Sequence, residues 1–385
     1  MFNFTLHNPV RLVFGKGQIA SLANEMPAGA KVLMTYGGGS IKKNGVYEQV
    51  KQALKDFEVL EFGGIEANPV YETLMKAVEL ARREQIDFLL AVGGGSVLDG
   101  TKFIAAAIPF EGEEPWDILA KNAPIHTATP LGAVLTLPAT GSEMNYSAVI
   151  SMAATQEKLA FGNPKVFPKF SIVDPETTYS LPPRQIANGV VDAFVHVMEQ
   201  YCTFPNAAPL QDRFAEAILK TLIEDGPKTL AHPTDYDTRA SVVWCATMAL
   251  NGLIGQGVPQ DWSTHMIGHE LTAFHGLDHA QTLAIVLPNL LWVLRDSKRE
   301  KLIQFAERVW DVKAGTPEAR LEEGIIRTRA FFEAMGNPTH LSAYGIESER
   351  FVDIIARLEK RGALPLGERQ ALSAEKLQEI LTMAR

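Results

Sequence analysis

Two cysteines, Cys202 and Cys245, are all the thiols in 385 residues. So small a number excludes a disulfide framework and a zinc ribbon. Both read as small core residues in a reducing, cytoplasmic setting. No apolar run approaches the ~20 residues that span a bilayer. The first residues, MFNFTLHNPVRLVFGKG, lack the charged and then apolar stretches of a secretory signal. Positive charge is also in deficit: 36 Lys and Arg face 45 Asp and Glu, a net charge of −9. That balance argues against nucleic acid or an anionic membrane as partner. No internal repeat or low-complexity segment is present.

What is there is an ordinary globular composition, 46% hydrophobic and 21% charged. The length exceeds one typical core and predicts two domains. KVLMTY (31–36), FEVLEFGG (57–64), DFLLAVGGGS (87–96), AVLTLPATGSE (133–143) and FSIVDPE (170–176) read as strands. A helical pattern runs to about Lys55, and another covers YETLMKAVELARREQ (71–85). Strands alternating with helices predict a parallel sheet covered on both faces. After LPPR (181–184) helical patterns dominate. The expected domains are therefore 1–180, α/β, and 181–385, helical.

Glycine clusters end two of the strands. In AVGGGSVLDGTK (91–102) a strand runs through glycines into a helix. Backbone N–H groups there can approach a phosphate, and the helix dipole points the same way. Gly94, Gly95 and Ser96 are the predicted pyrophosphate cradle, with Asp99 capping or orienting the loop or touching the ligand. TYGGGSIKKNG (35–45) holds Gly37, Gly38, Gly39 and Ser40, then Lys42 and Lys43. A carboxylate there would accept from a ribose 2′-hydroxyl and repel a 2′-phosphate. None is present, which favours NADP over NAD. TLPATGSE (136–143) adds Thr136, Thr140 and Ser142 in a loop suited to diphosphate or ribose.

Asp192 and His196 stand four apart in VVDAFVHVMEQY and share one face of a helix. Val190, Val191, Phe194, Val195 and Met198 around them are apolar. A carboxylate and an imidazole in that setting are costly without a partner, and a divalent cation is the simplest one. A second segment, STHMIGHELTAFHGLDHAQ, holds His265, His269, His275 and His279. One carboxylate with imidazoles and no thiolate suits Zn²⁺ or Fe²⁺. Spacing alone leaves open which histidines of the cluster are ligands.

With these motifs in hand, the chain resembles the iron-containing alcohol dehydrogenase family, and within it the bacterial NADPH-dependent aldehyde reductases of butanol dehydrogenase type. FGGIEANP, LLAVGGGSVLDGTKFIAAA, LTLPATGSE, LPPRQIANGVVDAFVHVMEQY, GVPQDW and HMIGHELTAFHGLDHAQTLAIVLP carry the resemblance over essentially the whole chain. It implies a dehydroquinate synthase-like fold, an N-terminal Rossmann-like domain followed by a helical one, with cofactor and metal meeting in the cleft between them. It also implies a homodimer. The implied metal ligands are Asp192, His196, His265 and His279. His269 is implied near the nicotinamide and substrate. Thr136 and Thr140 are implied along the dinucleotide, with Asn68, Asn145 and Lys158 on the cofactor side. Gly38, Gly39 and Ser40 are implied around the 2′-phosphate, where NAD-using members carry aspartate in place of Gly39.

The implied reaction is reversible reduction of aldehydes to primary alcohols with NADP(H) and one divalent ion as a Lewis acid. Asp192, His265 and His269 are the expected catalytic residues, with His269 or an ordered water relaying the proton. Trp262, Phe274 and Tyr146 are aromatic candidates for the substrate pocket. A dehydroquinate synthase-type lyase fits less well, since that type lacks the Asp-x₃-His pair. A glycerol dehydrogenase-like enzyme is disfavoured by His196, and a non-catalytic dinucleotide-binding module by the completeness of both motif sets.

Overall fold

The computed structural model describes residues 1–346 and 351–385. The chain divides into two compact units. One comprises His7–Pro182 with Pro233–Thr247, and the other Met1–Leu6, Pro183–His232 and Met248–Arg385. The division is not a single cut: the first six residues belong with the later helices, and a later helical segment belongs with the sheet.

The sheet unit holds β1 (Arg11–Phe14), β2 (Lys31–Thr35), β3 (Glu58–Phe62), β4 (Phe88–Gly94), β5 (Leu131–Leu137), β6 (Ser147–Met152), β7 (Glu157–Gly162) and β8 (Phe170–Val173). Six of them form a parallel sheet in the order β1-β8-β5-β4-β2-β3. The alternation of side chains along each strand explains why both faces are apolar. Leu33, Leu89, Ala91, Ala133 and Leu135 pack one way, with helices Tyr71–Arg83 and Gly95–Ala107. Val32, Met34, Phe88, Leu90, Val92 and Val134 pack the other way, with Val46 and Val50 of helix Val46–Ala53. The five strands read from sequence are β2, β3, β4, β5 and β8. β1 and the antiparallel hairpin β6–β7 were not anticipated. β1 is a four-residue edge strand with exposed ends, too short and too open to carry a pattern.

The other unit is helical. Its centre is helix Pro183–Tyr201, in which every residue from Gly189 to Tyr201 is buried. Phe194 lies at 0% exposure, with the rings of Phe332, Phe331 and Phe305 at 5.4, 5.5 and 6.4 Å. Among the described residues no helix is long and apolar enough to cross a membrane. Phe194→Ala should cost about 3–5 kcal/mol, the usual range for emptying a buried aromatic site. Urea denaturation followed by circular dichroism measures this, and a loss below about 1 kcal/mol would contradict the packing described.

Candidate functional site

Helical periodicity assembles the first half of the site. Asp192, His196 and Glu199 follow one another at i, i+4 and i+7, so they line one face of helix Pro183–Tyr201. Each is about 3% exposed. The second half comes from helix Ser263–His275, which carries His265 and His269, and from helix His279–Val293, which His279 opens. The chain reverses between these helices at Gly276, whose φ of +69° suits a residue without a Cβ. Asp278 then caps the next helix in a capping box with Gln281. Arg184 and Asn188, two turns and one turn before Asp192, grip the same Asp278 carboxylate at 2.7–2.8 Å. His279 is thereby tied to the helix of Asp192.

Three imidazoles converge on one carboxylate oxygen. Asp192 Oδ1 lies 3.5 Å from His196 Nε2, 3.7 Å from His279 Nε2 and 3.8 Å from His265 Nε2. The His196 and His265 rings stack with centroids 4.7 Å apart, and His279 stands 5.0 Å from His265. Asp192, His265 and His279 each present a ligand atom within 4.8 Å of the others. His196 is outside that tight group although its Nε2 is the nearest of the three to Asp192. His269 contributes no atom to the group, and its ring stands 5.4 Å from that of His279. Of the pocket aromatics, half-buried Trp262 stands 5.4 Å from the His265 ring. Phe274 packs under the Arg357 guanidinium, and Tyr146 sits in the sheet unit against Phe167.

Glu199 is the site residue that sequence reading missed. Its Oε2 accepts from His265 Nδ1 in a very short contact, and its Oε1 accepts from the backbone of Thr264 at 2.7 Å and His265 at 3.2 Å. The available signal was the i+7 position on the face of Asp192 and His196. With Nδ1 so engaged, His265 points Nε2 at Asp192, and this buried nitrogen has no hydrogen-bond partner among the described residues. That is how a metal-ligating histidine is held. The donor set, one carboxylate oxygen with imidazole nitrogens, fits a divalent ion such as Fe²⁺ or Zn²⁺. Burial pushes the His265 imidazole down, but the Glu199 and Asp192 carboxylates outweigh it and raise its pKa to about 9.

In the sheet unit, the carboxyl ends of β2, β4 and β5 lie side by side. Ligands of open parallel sheets bind at such an end. β4 runs straight into helix Gly95–Ala107. A Cβ on Gly93, Gly94 or Gly95 would stand 2.5–2.8 Å from Val97, Leu137 or Thr140, so close packing alone demands these glycines. Ser96 Oγ accepts from the Asn68 backbone at 3.2 Å, and Lys158 Nζ donates to Asn68 Oδ1 at 2.8 Å. Asp99 accepts from Ser142 Oγ at 2.6 Å and from the Val149 backbone at 2.9 Å, so its carboxylate orients the loop. Lys102, fully buried, donates to Ser142 Oγ, Asn145 Oδ1 and the Ser147 carbonyl at 2.8–2.9 Å. Burial pulls its pKa down to about 8, with Asp99 and Glu143 opposing. Asn145 closes the loop by donating to the carbonyls of Thr140 and Gly141. Thr136 is buried near the end of β5, and Thr140 is half-buried.

The first glycine turn follows β2, with Gly38 and Ser40 exposed and Gly39 at φ +90°. The turn itself has no carboxylate, but tertiary folding brings one near. Glu61, near the end of β3, lies 3.4 Å from Lys42 Nζ and accepts from the hydroxyls of Tyr47 and Tyr36. Burial raises its pKa, but Tyr47 and Lys42 outweigh this and hold it below its ordinary value.

Residues 9–175 match the family described as iron-containing alcohol dehydrogenase, and residues 186–385 match that family's C-terminal part. The chain is 59% identical to the NADPH-dependent aldehyde reductase YqhD of Escherichia coli K12, with all of both chains covered. A crystal structure of E. coli K-12 YqhD superposes with a TM-score of 0.98 at 58% identity, covering 100% of this chain and 99% of that one. An NADH-dependent butanol dehydrogenase A from Thermotoga maritima gives a TM-score of 0.95 at 35% identity, with 100% and 99% covered.

A raised His265 pKa sets the sign of a pH effect. Below about pH 9 the metal-free imidazole holds a proton that a cation must displace. Zn²⁺ affinity should therefore rise about tenfold per pH unit from 6 towards 9 and level off above, measured by chelator competition. Glu199→Gln should lower affinity about 10–100-fold and flatten that slope. A pH-independent affinity would contradict this account.

Proposed function

The chain belongs to the iron-containing alcohol dehydrogenase family, and from that premise we propose that it reduces aldehydes to primary alcohols with NADPH, reversibly. The observation that carries this reading is the convergence of three imidazoles on Asp192 Oδ1. In it, Asp192, His196, His265 and His279 hold one divalent ion, Fe²⁺ or Zn²⁺. When bound, the ion supplies Lewis acidity to the aldehyde carbonyl oxygen. NADPH supplies the hydride.

The protein's own residues do the rest. Glu199 keeps the proton of His265 on Nδ1, leaving Nε2 for the ion. The negative charge of Asp192 offsets part of the cation's charge. Trp262, beside the His265 ring, forms an apolar wall for the aldehyde's carbon chain and keeps bulk water off the carbonyl. His269, next to the rings of His265 and His279, delivers the proton to the product oxygen. Residues 1–180 bind the dinucleotide and 181–385 the ion. Gly94, Gly95 and Ser96 take the pyrophosphate at the start of helix Gly95–Ala107. Asp99, Asn145 and Lys158 keep the surrounding loops in shape for Thr136, Thr140 and Asn68 to meet the ligand. Gly38, Gly39 and Ser40 take the 2′-phosphate, and NADPH is preferred because no carboxylate stands in that turn.

The partner is a small-molecule aldehyde or alcohol of short or medium chain length. The chain works as a homodimer in the cytoplasm. Exposed Phe2, Phe4 and Leu6 are apolar surface suited to a second copy, and the two buried free thiols suit a reducing compartment.

Two experiments test the scheme. Metal-loaded protein should consume NADPH in the presence of butanal, and Asp192→Ala or His265→Ala should lose both bound metal and turnover. Unimpaired turnover by a metal-free variant would refute the role given to the ion. Gly39→Asp should raise the KM for NADPH far more than for NADH. The ratio cancels any backbone strain at that position, and an equal rise in both would count against the 2′-phosphate assignment.

A further inference from the structure

A second buried charge cluster lies in the helical unit, outside the proposed reaction. Lys298 is 3% exposed, and its Nζ donates to the Cys202 carbonyl at 2.9 Å, Asp261 Oδ2 at 2.9 Å and Glu368 Oε1 at 2.8 Å. Three donors meet three acceptors, so the ammonium is fully satisfied. Burial lowers its pKa, but Asp261 and Glu368 outweigh this and raise it above its ordinary value. Burial likewise raises that of Asp261, and Lys298 and Ser263 outweigh it and lower it. The two directions agree on an ionised pair.

Each partner of Lys298 leads to the metal side. Asp261 Oδ1 accepts from the backbone and hydroxyl of Ser263, the first residue of the His265 helix. The Asp261 backbone donates to the Glu199 carbonyl at 2.8 Å. Cys202 follows the last residue of the Asp192 helix. Glu368 Oε2 accepts from the Phe204 backbone at 2.8 Å, and a Cβ on neighbouring Gly367 would stand 2.6 Å from Ser263 Oγ. Both ends of the Glu199–His265 bond are thus anchored to one ammonium. A buried cluster of this kind is weak evidence for stability, since apolar replacements often fold as well. What it does supply is direction: three short bonds admit one relative placement of the segments they join.

We infer that Lys298 is a positioning residue. Through Asp261 and Glu368 it fixes the end of the Asp192 helix against the start of the His265 helix, and so fixes the direction in which His265 presents Nε2. This rests on the proposed role of His265 as a metal ligand.

The test uses Co²⁺ alone as probe, read by its visible absorption in the full chain. Lys298→Met should weaken Co²⁺ binding about tenfold and alter the ligand-field bands, with Glu368→Gln giving a smaller shift of the same kind. Glu368→Gln keeps side-chain volume and the Lys298–Asp261 pair, so it answers the question if Lys298→Met fails to fold. Lys301→Met is the control. Lys301 is also buried, in the helix that Lys298 caps, but pairs with Asp212. It should lose stability yet keep Co²⁺ affinity and spectrum. Unchanged Co²⁺ binding in Lys298→Met and Glu368→Gln, or an equal loss in Lys301→Met, would overturn the inference alone. No Co²⁺ uptake by the unsubstituted protein, or full uptake by His265→Ala, would overturn the metal reading and the inference with it.

Discussion

A single buried carboxylate oxygen with three imidazole nitrogens within 3.8 Å of it is the constraint around which the helical unit is organised. Desolvating that many polar groups is costly unless positive charge sits among them. A proton on an imidazole can supply the charge, and so can a divalent ion. The two compete for the same lone pair, and the neighbouring groups tilt the competition. Glu199 commits one nitrogen of His265 to a hydrogen bond and leaves the other facing Asp192. The grip of Arg184 and Asn188 on Asp278 sets the start of the His279 helix. Each of these contacts uses polar groups that could have faced water, and each acts on the direction of an imidazole.

The sheet unit solves a different problem with the opposite means. As the proposed dinucleotide-binding unit, it must leave backbone N–H groups of its loops exposed to a ligand while keeping the loops rigid. Rigidity comes from buried side chains that bond to one another: Asp99 to Ser142, Lys102 to Ser142 and Asn145, Lys158 to Asn68. The glycines where β4 meets its helix admit the close approach of Val97, Leu137 and Thr140. Several residues that a motif search reads as ligand contacts therefore also bond to one another. Asp99 is the plainest case, since both its oxygens are taken by the protein.

The parts of this arrangement legible in sequence were those with short-range periodicity. Five strands were visible because they are short, β-rich runs followed closely by glycine or proline. Asp192 and His196 were visible because a polar pair at helical spacing stands out against valines. Glu199 continued the same face, yet a glutamate late in a helix looks like solvated surface until its partner is known. Asp261 and Glu368 stand 37 and 70 residues from Lys298 along the chain, and no local pattern joins them. The attachment of Met1–Leu6 to the helical unit and of Pro233–Thr247 to the sheet unit is likewise a property of tertiary packing. Residues that meet across long stretches of chain leave no spacing to read.

The first glycine turn shows how such a long-range contact changes a charge argument. Read alone, GGGSIKK is a cationic turn, and its lysines invite a 2′-phosphate. In the fold, Lys42 sits 3.4 Å from Glu61 and over the rings of Tyr36 and Tyr47. Its charge is already shared, and an exposed pair of this kind contributes little on its own. Under the proposed assignment, selectivity for a 2′-phosphate depends less on attraction by lysine than on the lack of repulsion at Gly39 itself. If that turn receives the phosphate, as proposed, a carboxylate placed there would stand against it, whereas Glu61 is held on the neighbouring strand by two tyrosine hydroxyls. Under that assignment position, more than net charge, decides between the two dinucleotides.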